Sequence, residues 1–552
     1  MTSDSTFPPS SLVDLVEAKA RDAPDSLYCQ LLEPDWREKG PRDVTYAQVV
    51  RAVNALSWWL DERLGPSKDF AAFAYNGDSD FRYALLILAA QKTQRRIVIP
   101  QVNRLTHKAL LSILDNTSCN IWISGSAFGV QTAATLSSER PDLKCEELRS
   151  LEYWLTVNAA TTTRYPYSKT WEEAMRDPLF VIHSSGTTGR PKHYTWTLAM
   201  FSHFNSCRDL PDGTVENSHL GYALPRHKRT LWAPPPTWLG GIMGIFGMPL
   251  FYHGIPVLPP ADAPSPLPTA SVRELLERLA PSLQSAFLAP THIRDLCRTP
   301  EGLALLQRLD LVMTAGAVLD PWAGDQLCCG DTGVPLQITY GSTEMGAQMM
   351  HQYSDAADWK YYQFDERTGI RMDPYGGEDS GVYELVIDRK PELARWQPVF
   401  ELFPDKTTHR SEDLFEEHPT KKGLWLHRGR ANDLVKLQWL QKIKAADVES
   451  GLERHPLVAT ALVGGEGRAV PFVILELVDN NKEENKKETL AEEIGNLIDQ
   501  INEQVVSQVR IPRDKVVVAD PARPFKRLGK GTLDRIGVLT DYKEDIEKLY
   551  SA

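Results

Sequence analysis

Cysteine is scarce and unpatterned in this chain. The 552 residues hold seven, Cys29, Cys119, Cys145, Cys207, Cys297, Cys328 and Cys329. The number is odd and no CxxC spacing occurs, which argues against a zinc site or a disulfide framework and fits a reducing, cytoplasmic compartment. Dense basic blocks are also lacking, and the formal net charge is −12. Nucleic acid is therefore not expected as the main partner, because neutralising a phosphate backbone takes clustered Lys and Arg. A single bound nucleotide needs only a local site and stays open. There is no uninterrupted apolar run of the roughly 20 residues a membrane span requires. The most apolar stretch, Leu231 to Leu258, is broken by Pro234, Pro235, Pro236, Gly240, Gly241, Gly244 and Gly247, and reads as buried strand, loop and helix around a cavity, so no membrane partner is expected. The N-terminal Met-Thr-Ser-Asp-Ser-Thr-Phe-Pro-Pro has neither a basic nor an apolar signal region, and the terminal Leu-Tyr-Ser-Ala is no address signal.

What is present is enough chain and apolar residue for two or more domains around a large core, 42% of the residues being hydrophobic. Helices are expected over Leu12–Ala20, Tyr46–Leu64 and Tyr83–Gln91, and strands over Phe70–Tyr75, Arg96–Pro100, Leu283–Leu288, Leu309–Met313 and Leu336–Tyr340. Strands alternating with helices imply a layered α/β domain with a largely parallel sheet. The composition changes near residue 428. There His427-Arg-Gly-Arg-Ala-Asn-Asp433 is a short polar segment between the strand-like Leu424–Leu426 and Leu434–Leu437. A helix over Asp447–Arg454, strands over Leu457–Val463 and Phe472–Val478, and a charged helical stretch over Lys482–Gln508 follow. The expected domains are residues 1–428, a hinge at 429–433 centred on Asp433, and a small α+β domain at 434–552.

The most informative segment is His183-Ser-Ser-Gly-Thr-Thr-Gly-Arg-Pro-Lys192, directly after the apolar Leu179–Ile182. Gly186 and Gly189 leave backbone N–H groups free to turn toward an anion, Ser184, Ser185, Thr187 and Thr188 add hydroxyl donors, and Lys192 adds charge, a composition that suits nucleotide phosphates. It is not a Walker A loop, since the lysine is not followed by Ser or Thr and the glycine spacing differs. Taken by itself, the segment also fits a Ser/Thr-rich surface turn.

Four further segments bear on it. Ile338-Thr-Tyr-Gly-Ser-Thr-Glu-Met-Gly346 is a strand entering a turn through Gly341 and Ser342, with Tyr340 able to stack on a base, Thr343 able to donate to a phosphate and Glu344 able to hold Mg²⁺, a hard cation that prefers oxygen. His409-Arg-Ser-Glu-Asp-Leu-Phe415 offers Asp413, an acceptor-only carboxylate suited to two ribose hydroxyls. Arg428–Asp433 supplies Arg430 for ribose or phosphate. Pro524-Phe-Lys-Arg-Leu-Gly-Lys-Gly-Thr-Leu-Asp-Arg535 presents Lys530 between two glycines. Each segment also fits an ordinary turn or a solvated side chain.

In this order and at these spacings, the motifs resemble the adenylate-forming (ANL) superfamily over essentially the whole chain. The run Gly429–Leu477, with Glu449 and His455-Pro456, together with Asp413-Leu-Phe-Glu-Glu-His-Pro419 and Ala519-Asp-Pro, is similar to adenylation domains of fungal NRPS-like enzymes and carboxylic acid reductases. Three departures stand out. His193 replaces the Gly after Pro-Lys, Glu412 replaces the Gly before Asp413, and Pro-Phe-Lys-Arg replaces Pro-Arg-Thr in the lysine motif.

The resemblance implies a large α/β adenylate-forming domain with a small mobile α+β domain, and ATP and Mg²⁺ as cofactors. It also implies activation of a carboxylic acid to an acyl-adenylate, then transfer to the phosphopantetheine thiol of a carrier domain, with a reductase or thioesterase beyond it. Lys530 would bridge the acid and the α-phosphate; Ser184, Ser185, Thr187, Thr188 and Lys192 would hold the β- and γ-phosphates. Thr343 and Glu344 would place phosphate and metal, Tyr340 and the Gly316-Ala317 backbone would flank adenine, and Asp413 would hold the ribose. No Asp-Ser-Leu-type phosphopantetheine site occurs before Ala552, so an excised domain or a free-standing ligase is expected. A free-standing acyl-CoA ligase and, more remotely, a non-catalytic nucleotide sensor are the alternatives.

Pro235-Pro-Thr-Trp-Leu-Gly-Gly-Ile-Met243 matches the family segment that opens the acyl pocket. Leu239 stands where amino-acid-activating members carry an Asp, and burying an unpaired ammonium against it would be costly. A standard α-amino acid is thus disfavoured. With Trp238, Met243, Phe287, Met313, Ala315, Thr339, Ala347 and Gln348 as the other wall residues, the expected substrate is an aryl, aryl-pyruvate, aliphatic or betaine-type acid, the last caged by Trp238 and Phe287.

Overall fold

Side-chain alternation along the strands decides how the layers stack. The computed structural model describes residues 9–550 apart from 68, 103–104, 106, 185–191, 207–227, 330–332, 354, 376–379, 432–433, 438–441, 479–486, 504–509 and 528–532. Two compact units emerge, residues 1–370 with 388–409, and residues 371–387 with 410–552. The first unit holds two six- and seven-stranded sheets. One runs in the order Lys144–Glu147, Ile121–Gly125, Ala72–Gly77, Arg96–Val98, Pro178–Ser184, Lys192–Thr197, parallel except for the last pair. The other runs Leu336–Thr339, Leu311–Ala315, Ser285–Leu288, Arg229–Trp232, Ile255–Leu258, Leu27–Leu31, Arg42–Thr45, again parallel except at the last pair.

Successive strand residues point to opposite faces, and the buried clusters follow that rule. Phe73, Tyr75, Ile97, Ile123 and Phe180 of the first sheet share one cluster with Trp232, Phe287 and Met313 of the second. Their strand neighbours face away. Ala74, Val98, Trp122 and Val181 pack on Leu110, Ile113 and Leu136 of outer helices, while Leu231, Ala286, Leu288 and Val312 pack on Leu275, Ile293 and Leu327. The shared cluster is therefore the central layer between the sheets. The helix Arg82–Lys92 in it is buried at every position, as a helix enclosed on all sides must be.

The sequence reading places most of these elements within two residues. The strand Trp425–Arg430 is a correction: it extends past Leu426 and takes in Gly429 and Arg430. It pairs antiparallel with the ten-residue strand Thr408–Glu417. That pairing explains why residues 410–428 cluster with the C-terminal part of the chain, whereas the sequence-derived boundary lies at 428.

In the second unit, the strands Val458–Gly464, Phe472–Leu477 and Val516–Val518 form a sheet covered on both faces. Ala461, Val463, Val473 and Leu475 meet Val448, Leu452, Ile494 and Ile498 of the helices Ala445–Glu453 and Lys487–Glu503. Leu462, Phe472 and Ile474 meet Val538, Tyr542 and Ile546 at the C-terminal end. The six described cysteines are all free, and among the described residues no helix is long and apolar enough to cross a membrane.

The central helix carries a buried charge. Arg82 Nε donates to both oxygens of Asp80 at 3.1 and 2.9 Å, and its Nη2 donates to Asp78 at 2.8 Å. Removing one partner of such a pair leaves the other charged group in the core. Arg82→Met is expected to lower unfolding free energy in urea by about 3–5 kcal/mol, with Asp80→Asn in the same chain recovering part of it. A loss near zero would mean that Asp80 is satisfied without Arg82.

Candidate active site

In open parallel sheets, ligands collect beyond the carboxyl ends of the strands, where loops are free to diverge. Four of the sequence-derived segments lie at such ends. Residues 185–191 follow Pro178–Ser184, Pro235–Trp238 follow Arg229–Trp232, Gly316 and Ala317 follow Leu311–Ala315, and Tyr340–Glu344 follow Leu336–Thr339. Gly316 turns out of its strand at φ +90, and Ala317 beside it is exposed. Ser185, Gly186, Thr187, Thr188, Gly189, Asp433 and Lys530 lie outside the described residues. For Ser184 only the backbone is described.

The strands that bracket 185–191 are antiparallel, with Ser184 opposite Lys192 and His183 opposite His193. Lys192 is exposed. Burial, aided by Arg96, keeps the His193 imidazole below its ordinary value and neutral at pH 7. His183 is buried and accepts from the Gln101 backbone N–H at 3.0 Å, while the Gln101 side chain donates to the Thr237 carbonyl at 3.2 Å. The same pair of strands is tied to the Thr343 turn. Trp196, fully buried, donates its indole N–H to the Thr343 carbonyl at 3.0 Å. That turn is closed by Gly341–Ser342 pairing with Gly346–Ala347. Only glycine fits at 341, where a Cβ would sit 2.2 Å from the Gly346 carbonyl oxygen. Burial also pushes the His203 imidazole below its ordinary value, and its two ring nitrogens face carbonyls, Nε2 that of Ala347 at 2.7 Å and Nδ1 that of Arg395 at 3.4 Å. Tyr340 is buried, edge-on to Tyr362 and Phe364 with centroids 5.8 and 5.5 Å away.

The proposed acyl wall is apolar. Met243, Phe287 and Met313 are buried members of the central layer, and Leu239, Ala315 and Ala347 pack against it. Leu239 and Met243 lie one turn apart on the helix Leu239–Phe246, with Trp238 at its N-cap. Phe287 pairs in register with Met313, and Ala315 with Thr339. Gln348, also assigned to the wall, is buried and donates its amide to the Met345 carbonyl at 2.9 Å, so it fastens the turn. Among residues the sequence reading omits, Trp232 stacks on Phe287 at 4.5 Å and donates to the Gly240 carbonyl at 2.9 Å. The helix comes so close that a Cβ on Gly244 would lie 2.1 Å from the Trp232 Nε1.

The second unit carries Asp413 and Arg430. They face each other across the antiparallel pair, with Arg430 Nε donating to Asp413 Oδ1 at 3.1 Å and His427 Nε2 3.6 Å from the same oxygen.

Comparison with known proteins then fixes the family. The model for AMP-binding enzymes matches residues 16–367, and that for the AMP-binding enzyme C-terminal domain matches 432–552. The chain belongs to the AMP-binding enzyme family. It is similar to the carboxylic acid reductase of Neurospora crassa, with 28% identity over 98% of this chain and 50% of that protein. It is also similar to the adenylate-forming reductase Nps11 of Serpula lacrymans var. lacrymans, with 25% identity over 94% of this chain and 47% of that protein. The chain thus spans about half the length of these curated relatives. In fold it resembles ATP-bound MatB from Rhodopseudomonas palustris, with a TM-score of 0.70 and 16% identity over 97% of this chain and 99% of the other.

One departure of this AMP-binding enzyme gains a physical meaning. Glu412, at the position where a glycine is expected, has φ +62, and the strand register slips between Asp413 and Phe415. The bulge that aims Asp413 thus needs a left-handed residue, which a non-glycine adopts at a cost. Glu412→Gly is expected to keep or raise the thermal unfolding midpoint. Glu412→Val, β-branched in that region, should lose about 1–2 kcal/mol. Equal midpoints for the two variants would show that the left-handed turn is not held in solution.

Proposed function

We propose that this chain joins a carboxylic acid to ATP as an acyl-adenylate, releasing pyrophosphate, and then passes the acyl group to the phosphopantetheine thiol of a carrier domain. The observation that carries the reading is a convergence at the strand ends of one unit. The Thr343 turn is bonded through Trp196 to the strands bracketing 185–191, and the seven-stranded sheet that leads into that turn presents the apolar row of Phe287 and Met313. A carboxylate oxygen attacks the α-phosphorus, and the bond to the β-phosphate breaks. In the second step the thiol sulfur attacks the acyl carbon, AMP leaves and the thiol gives up its proton.

Charge accumulates on the α-phosphate in the first step, so the demand on the protein is electrostatic. In this reading Lys530 bridges the acid and the α-phosphate. Ser184, Ser185, Thr187, Thr188 and Lys192 hold the outer phosphates, Thr343 donates to phosphate, and Tyr340 with the Gly316–Ala317 backbone flanks adenine. Asp413, oriented by Arg430, takes the ribose hydroxyls. Among the described residues no three His, Cys, Asp or Glu side chains form a metal cage. Mg²⁺ does not require one, since a single carboxylate together with substrate phosphates and waters is its usual donor set, and Glu344 fits that role. The ion would neutralise phosphate charge.

Leu239, packed against the apolar layer, supports an acid without an α-ammonium. The relatives named as reductases support a thioester destined for reduction. Pyrophosphate release measured across benzoate, phenylpyruvate, hexanoate, glycine betaine and a free α-amino acid tests the reading. Turnover on at least one of the first four acids is expected to exceed that on the amino acid at least tenfold; best turnover on the amino acid would overturn the Leu239 argument. Lys530→Ala should lower acyl-adenylate formation by ~10²–10³, about 3–4 kcal/mol in the barrier, with ATP binding kept. Unchanged pyrophosphate release would remove Lys530 from the chemistry.

Lys530 serves the first step and the thiol needs the same approach for the second, so residues 434–552 are proposed to swing about Asp433 between steps. Asp433→Pro should slow one half-reaction at least tenfold more than the other in single-turnover assays. Equal loss of both would count against a pivot there.

A further inference from the structure

Gln337 is a polar residue in an apolar row. Along the second sheet, Trp232 pairs in register with Phe287, Phe287 with Met313, and Met313 with Gln337. Register partners in a sheet point to the same face, so all four side chains face the central layer, where the first three are buried. Gln337 is 1% exposed, and neither its Oε1 nor its Nε2 has a hydrogen-bond partner among the described residues. A buried amide left this way costs its full desolvation penalty, and three apolar neighbours cannot offset it. Retaining it makes physical sense where something else supplies the partner.

The position of the row tells which part of a substrate arrives there. The residues proposed above to face the nucleotide, Gly316, Ala317 and Tyr340, lie at the carboxyl ends of these strands. Thr339 is the wall residue nearest that end. Gln337 is two residues deeper on the same face, roughly 7 Å at the usual rise of a strand. The acid's carboxylate must reach the α-phosphate, so its far end reaches the Gln337 row.

We propose that Gln337 reads a neutral hydroxyl on the acid at the end remote from its carboxylate. The proposal rests on the acyl-adenylate reading above and narrows its substrate class. An amide offers both N–H donors and a carbonyl acceptor, and a hydroxyl answers both. A quaternary ammonium answers neither, and its charge would have no counter-ion among Trp232, Phe287 and Met313, so this disfavours a betaine. A wholly apolar acid would leave the amide unsatisfied.

The test compares acids that differ only by that hydroxyl: 4-hydroxybenzoate with benzoate, 4-hydroxyphenylpyruvate with phenylpyruvate, and 6-hydroxyhexanoate with hexanoate. The kcat/KM for pyrophosphate release is expected to favour the hydroxylated member of at least one pair by ten- to a hundredfold. Gln337→Leu should abolish that preference while keeping turnover of the apolar member, and Gln337→Met should do the same if Leu packs badly. Thr314→Val is the control. Thr314 is buried with its own Oγ1 unpartnered among the described residues, but it pairs with Leu288 and Ile338 on the opposite face, and its loss should leave the ratio unchanged. No preference in any pair, or equal loss of both members in Gln337→Leu and Gln337→Met, would overturn the proposal. Calorimetry with the sulfamoyl-adenosine analogues of each pair reads the same ratio without turnover. A Gln337-dependent binding ratio without pyrophosphate release would sink the proposed activity and leave the Gln337 assignment standing. Pyrophosphate release without any such ratio would do the reverse.

Discussion

The hydrogen bond from the Trp196 indole to the Thr343 carbonyl sets the geometry on which the rest of the first unit depends. Trp196 is held flat between Phe180, at 5.9 Å and 12°, and Phe204, at 6.0 Å and 8°. Three elements therefore share one position: the strand that leads into residues 185–191, the strand that returns, and the helix Leu198–Ser206. Because the indole N–H has a single donor direction, the Thr343 turn cannot shift along that stack without losing its bond. His203 holds the other side of the turn, with its Nε2 2.7 Å from the Ala347 carbonyl. A turn held from two sides is fixed without using the Glu344 carboxylate in either contact. Preorganisation of this kind is what an electrostatic step needs, since donors that must first reorient lose much of their effect.

The layers were legible in the sequence and several site contacts were not, for separable reasons. Strand and helix periodicity is local, so the elements at Tyr46–Leu64, Arg82–Lys92, Leu311–Ala315 and Leu336–Thr339 could be read from apolar spacing alone. Motif order pointed to the family because the segments at 183–192, 338–346, 409–415 and 524–535 recur together. Trp196, Trp232, Gln101 and Gln337 belong to no such segment. Their importance comes from partners far along the chain: Trp196 lies 147 residues from Thr343, and Gln101 lies 136 from Thr237. Only the register of the sheets brings these together. Glu412 is intermediate. Its departure from glycine was visible, but its meaning required the backbone angle.

Gln348 illustrates a limit of assigning wall residues by motif position. It falls at a pocket position, yet its amide is turned to the Met345 carbonyl, where it closes the Thr343 turn. Gln337 is the converse. No motif marks it, but burial without a protein partner does. The two glutamines differ in whether the fold itself satisfies them, and that difference separates a structural amide from one able to recognise a ligand.

Sheet architecture also explains how chemistry and recognition can change independently. The groups proposed for ATP sit where the parallel strands end, on backbone that leaves the sheet. The row proposed to meet the acyl chain sits two to three residues earlier on the same strands, anchored by register to its neighbours. Roughly 7–10 Å of strand separates the two levels, so substituting Phe287, Met313 or Gln337 is expected to alter the proposed acyl end without moving Thr343 or Tyr340. If the acid lies along these strands as proposed, that depth bounds it: a substrate too short to span it would leave Gln337 unanswered, and one too long would have to displace Trp232, which is locked to Gly240 and pressed by Gly244. Length and a single distal polar group are thus the two properties such a site can select, while the nucleotide chemistry stays common to the family.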